Sequence, residues 1–160
     1  MAIRRAKQKA QVIEKLSAVA PPGETFLACI HCETGPSPWL NALFDEIPFV
    51  GLAVALTREV YFLTLTNTSV VVNRANRFTN RPGDVVASFA CEAAPLTGAV
   101  RGSVWSKVYL QFPGRAKPTR LNVHRYWRDE FDQFLAALPG ATVPAQRTPD
   151  TAQPVADRAG

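Results

Sequence analysis

The sequence predicts an α+β domain dominated by β structure: a bent antiparallel sheet or open barrel, capped by a C-terminal helix and preceded by an amphipathic one. Three observations carry this. Val60 to Arg74 holds two runs of β-branched and aromatic residues around the polar knot Thr66-Asn67-Thr68-Ser69, which reads as a hairpin loop because Asn accepts φ > 0 and hydroxyls can stand in for backbone partners. Val104 to Phe112 alternates apolar and polar at period two, and Thr119 to His124 returns after the turn Pro113-Gly114-Arg115. Tyr126 to Leu138 then changes period, with Trp127, Phe131, Phe134, Leu135 and Leu138 forming one helical stripe.

The 160 residues are 47% hydrophobic, enough for one globular domain with its own core. Thirteen prolines and nine glycines favour many short elements. The net charge is +5, but residues 1–20 carry +4 of it and the other 140 residues only +1. A nearly neutral body argues against duplex nucleic acid, which wants a basic face on the domain itself.

In chain order, residues 2–20 read as a basic amphipathic helix. Ile3, Ala6, Ala10, Val12, Ile13, Leu16, Val19 and Ala20 fall on one arc, and Pro21-Pro22-Gly23 ends it. Its N-terminal basicity superficially suggests a signal peptide, but Gln11, Glu14 and Lys15 interrupt the apolar core that one needs. An Ala-rich arc without Trp or Phe favours docking on its own domain or on a partner over lying in a lipid interface. Glu24 to Glu33 is the first strand, with Phe26, Ala28, Ile30 and Cys32 on one face and Leu27, Cys29 and His31 on the other. Cys29-Ile30-His31-Cys32 is a C-x-x-C, but an offset of three on a strand sends the two sulfurs to opposite faces. Zinc from Cys29, Cys32, Cys91 and His31 or His124 is conceivable by count alone, with only one pair at ligand spacing. No bound metal, disulfide or cofactor is expected.

Residues 34–59 form an apolar insertion. Gly35-Pro36-Ser37-Pro38 breaks the strand, Trp39, Leu40, Leu43 and Phe44 crowd a turn and a half, and Phe49 to Leu56 is almost wholly apolar. Such a segment must be covered by the domain, a partner or a bilayer surface, so Trp39, Leu40, Phe44 and Phe49 are candidate contacts. Beyond the hairpin, Arg74, Arg77 and Arg81 lie in a stretch without acids and are candidates for a phosphate or polyanion. Asp84 to Cys91 is a further strand with Val85, Ala87, Phe89 and Cys91 on one side, and Ala93 to Gly102 is a short or irregular one. In the next strand Val104, Ser106, Val108, Leu110 and Phe112 should point inward. Trp105, Lys107 and Tyr109 should point outward, joined by Arg120, Asn122 and His124. That aromatic and basic face is a candidate binding surface, unless another element such as the first helix covers it. Residues 139–160, with Pro recurring at 144, 149 and 154, should be disordered. The expected organisation is therefore 1–22 helix, 23–138 domain and 139–160 tail.

The opening strand Gly23-Glu24-Thr25-Phe26-Leu27-Ala28 and the hairpin Tyr61 to Val72, with its aromatic start, Thr-Asn turn and apolar return, resemble the bacterial pleckstrin-homology-like domains. So does a closing strand followed by the Trp127 helix. The resemblance spans about residues 23–138 and implies a binding or scaffolding module, not an enzyme. Phosphoinositide-binding relatives place Lys and Arg around the first inter-strand loop. Here Thr34 to Thr57 contains Asp45 and Glu46 and neither basic residue, which argues against a specific phosphoinositide. Two histidines on separate strands, with no nucleophile elbow or phosphate-cradling loop, argue against catalysis. The function expected is protein–protein contact or self-association. The alternatives are a peripheral module at an anionic membrane surface, using the basic helix and the 36–56 segment, and a weak polyanion binder. The expected location is the cytoplasm, with the inner face of the membrane as its variant.

Overall fold

A computed structural model describes residues 2–35, 57–76 and 79–138. The expectations for Trp39, Leu40, Phe44, Phe49 and Arg77, for most of the insertion, and for the 139–160 tail lie outside the described residues.

The elements follow as α1 (Ala2–Ser17), β1 (Phe26–Glu33), β2 (Val60–Thr66), β3 (Ser69–Ala75), β4 (Pro82–Ala90), a 3-10 turn at Cys91–Ala93, β5 (Leu96–Val100), β6 (Trp105–Leu110), β7 (Thr119–His124), a second 3-10 turn at Arg125–Trp127, and α2 (Arg128–Ala137). The strands form one seven-stranded sheet in the order β4-β3-β2-β1-β7-β6-β5, with every pairing antiparallel. This is the mainly β, helix-capped half-barrel that the sequence predicts.

The bend has a definite place. β1 pairs with β2 along its length, but with β7 only at Glu33 and Asn122, so the sheet opens between β1 and β7. α2 packs along β1 there and fills the opening. Trp127, Phe131, Phe134, Leu135 and Leu138 are all buried, as their spacing requires. They join one buried cluster with Ile30, Cys32, Leu63, Leu65, Val70 and Val72 of β1–β3 and Val108, Leu110, Leu121 and Val123 of β6 and β7. The hairpin loop is only Asn67-Thr68. The Asn67 side-chain carbonyl accepts from the Thr25 N–H at 2.9 Å, and the Asn67 N–H donates to the Thr25 carbonyl at 3.0 Å. The turn is thereby tied to the chain entering β1.

Every residue of β2 is buried, so the strand is covered on both faces. One face is the core; the other is covered by Trp127 at Phe62 and by α1 near Thr64, and Val12 and Leu16 of that helix are buried. Arg5 and Lys9 of α1 bind the two oxygens of Glu130 on α2 at 3.2 and 3.1 Å, and Lys15 reaches Asp84 of β4 at 3.6 Å. The basic side of the helix is thus partly turned onto its own domain.

Several expectations are corrected. The apolar arc of α1 is used only as a narrow stripe: Ala6, Ala10 and Ile13 are exposed, and Val19 lies beyond the helix end and is 73% exposed. A bulge between Phe26 and Ala28 breaks the alternation of β1. Val85 is exposed because β4 is an edge strand with register shifts along its pairing to β3. Val104 precedes β6 and is exposed, where the alternation placed it inward. Asn122 is buried, since it stands where β7 meets β1, and its Oδ1 has no hydrogen-bond partner among the described residues.

Candidate binding surface

The thiols come first because C-x-x-C invites a redox or metal reading. Cys29 receives the Thr64 hydroxyl on the α1 side of the sheet at 3.6 Å, while Cys32 donates to the Tyr61 carbonyl at 3.6 Å from the core side. Burial pushes the Cys29 thiol up to about 11 and Cys32 further still, so both are protonated near neutrality. Among the described residues no group of three or more His, Cys, Asp or Glu is placed to hold a metal ion.

The two histidines, distant in sequence, line one hollow of about 200 Å³ with Arg5, Gln8, Asn80, Tyr126 and Trp127. His31 stacks on Trp127 at 5.9 Å between ring centroids and meets the edge of Phe62 at 5.1 Å. Its Nε2 is buried and has no hydrogen-bond partner among the described residues. Burial holds His31 down to about 4, against the opposing effect of a hydrogen bond with the Asn80 side chain. Burial and the neighbouring Arg125 lower His124 as well. The His124 Nδ1 accepts from the Tyr126 N–H at 3.3 Å and so caps the second 3-10 turn.

The predicted arginine and aromatic sites are partly committed elsewhere. The connections after β1, β3 and β6 share one end of the sheet, because consecutive strands are antiparallel. At that end Glu59 binds Arg74 at 2.8 Å, Arg115 at 3.3 Å and the Tyr61 hydroxyl at 2.9 Å. Those partners keep its carboxyl below the usual range against the opposing effect of burial. Arg58 binds Glu33 at 3.2 Å, and Arg120 donates to the Gly35 carbonyl at 2.8 Å. Arg81 is exposed. Trp105, Lys107 and Tyr109 are half-buried side by side on β6, with Trp105 edge-on to His124 at 4.6 Å. α1, the helix suggested as the cover of this face, packs on β4 and α2 and reaches the face at His124, where Arg5 and Gln8 line the shared hollow.

The sequence did not single out what flanks α1. On one side, Leu16, Val19, Ala20 and Pro21 face Phe26, Val71 and Val85 across a groove of about 300 Å³. On the other, Ile13 faces Phe26, Leu27 and Cys29 across one of about 180 Å³ that runs to Glu130 and Gln133. Among the described residues eight large hydrophobics are exposed, and four of them, Ile13, Val19, Leu27 and Val85, line these grooves. The only advance signal is that Ile13 and Val19 widen the arc of α1 beyond what a four-turn helix buries.

Glu24 closes the polar end of the larger groove. Its Oε1 accepts the hydroxyls of Thr66 at 2.5 Å, Ser69 at 2.9 Å and Thr68 at 3.0 Å. No described donor reaches its Oε2. The Thr66 hydrogen bond, then those of Ser69 and Thr68, lower its pKa against a smaller desolvation effect.

Comparison with known proteins finds no family model, no curated protein and no solved structure that matches the chain.

Proposed function

We propose that this chain is a non-enzymatic, pleckstrin-homology-like binding module that contacts another protein through the flanks of α1 and the adjoining edge strand β4. The observation that carries the reading is the gathering of exposed aliphatic side chains beside two grooves along one docked helix. Apolar groups left together in water, next to concave surface and polar residues, favour a protein partner.

The hollow holding both histidines supports the non-enzymatic part of the reading. Among the described residues it is lined by no Ser, Cys, Asp or Glu, so neither imidazole meets there a described nucleophile to activate or carboxylate to orient it. A bilayer reading through α1 is less favoured, because Val12 and Leu16, which an interfacial helix would insert, are buried on the sheet. No helix among the described residues is long and apolar enough to cross a membrane. The polyanion reading is weakened by the ion pair of Arg74 with Glu59.

Two measurements on the full chain and on Val19→Asp/Val85→Asp test the proposal. The first is chemical cross-linking in the source cell; the second is flotation with phosphatidylglycerol vesicles. Cross-linked protein adducts that the double variant loses, at an unchanged melting temperature, support it. Adducts indifferent to the double variant, or vesicle binding in their place, overturn it.

A further inference from the structure

The groove between α1 and β3–β4 is not uniformly apolar, and its one charged group is held in an unusual way. Leu16, Val19, Pro21, Phe26, Val71 and Val85 supply aliphatic and aromatic wall. At one end stands Glu24, with three hydroxyl donors converging on Oε1 and none on Oε2. Three hydrogen bonds to a single oxygen fix the orientation of the carboxylate, so the second oxygen is presented without further ordering of the side chain. No described lysine or arginine pairs with Glu24; Lys15, on the nearby helix, is turned to Asp84. A preorganised anion next to apolar wall matches a cation on an aliphatic stem, or a cation with an aliphatic neighbour.

We infer that this groove receives a segment of a partner protein in which a lysine or arginine stands beside a branched aliphatic residue, the cation on Glu24 Oε2 and the aliphatic side chain against Val19, Val71 and Val85. The inference rests on the protein-binding reading above and adds the chemistry of the partner. Glu24 also clips the β2–β3 turn to the start of β1, and that structural role accounts for Oε1. It does not account for Oε2.

The two roles separate by experiment. A random heptapeptide library displayed on phage is panned against the full chain. The enriched peptides are then synthesised and measured by fluorescence anisotropy on wild type, Glu24→Gln and Val19→Asp. Glutamine retains a carbonyl oxygen for the three hydroxyls and loses the charge. The expected peptides pair a basic with an aliphatic residue and lose about tenfold in affinity on Glu24→Gln. They lose the same on replacing their own basic residue by norleucine, and lose binding on Val19→Asp. Peptide-side replacement keeps the test decisive if Glu24→Gln lowers the melting temperature. Enriched peptides without a basic residue, or indifferent to both charge-removing changes, overturn this inference and leave the binding reading standing. No enriched peptide, or peptides indifferent to Val19→Asp, overturn both.

Discussion

His31 shows how burial sets a residue's behaviour. Unfolded, its imidazole titrates near 6.5; stacked on Trp127 and against Phe62 it titrates near 4. Between those values the unfolded chain binds a proton that the folded chain does not, so unfolding becomes easier as pH falls. Stability should be level with respect to this group above pH 6.5 and decline by up to about 3 kcal/mol on approaching pH 4. Urea denaturation at half-unit pH steps would show the decline, and His31→Gln should remove that component; an unchanged slope in the variant would place the effect elsewhere. Phe131 is fully buried at the opening between β1 and β7, and Phe131→Ala should cost ~3–5 kcal/mol by the same measurement. The face on which Phe131 stands follows from its helical spacing. The ring that stacks on His31 does not, since Trp127 and His31 are brought together only by the docking of the closing helix.

At the scale of elements, α1 is the informative case. Its amphipathic pattern gives a helix and a docking side, but the arc is broader than the stripe that is buried. Val12 and Leu16 make the apolar contact, and Glu130 gathers Arg5 and Lys9. Leu16→Ala should therefore cost ~2–5 kcal/mol, because it empties a buried site that also forms the wall of the larger groove. Glu130→Ala should cost only about 1 kcal/mol, since both cations remain partly solvated and can rehydrate. Thermal unfolding of both variants would rank them, and a larger loss for Glu130→Ala would mean that the helix is held by charge. The turn before β6 makes a different demand: a Cβ on Gly102 would lie 2.0 Å from the Trp105 carbonyl oxygen, so Gly102→Ala must displace backbone. No periodicity in the sequence marks that close approach.

At the scale of the molecule, the contact surface is the open matter, and two sets of variants divide it. Val19→Asp/Val85→Asp should abolish partner contact at an unchanged melting temperature, because both side chains are exposed. For the insertion, Trp39→Ala/Phe44→Ser should weaken association without unfolding if those residues are contacts; a large fall in melting temperature would make them core. Strand content, the hairpin, the closing helix and its five-residue stripe were legible in the sequence, because each depends on side-chain period within a dozen residues. So was the separation of Cys29 from Cys32, which needs only the pleat of one strand. The tertiary structure alone decided that β1 leaves β7 after a single pair, that both histidines line one hollow, and that Arg74 belongs to Glu59. It alone placed Val19 and Val85 on the two walls of one groove and converged three hydroxyls on Glu24. Each of these joins residues 15 or more positions apart, and the sheet's bend, which sets their distances, arises from packing and not from any local pattern of the chain.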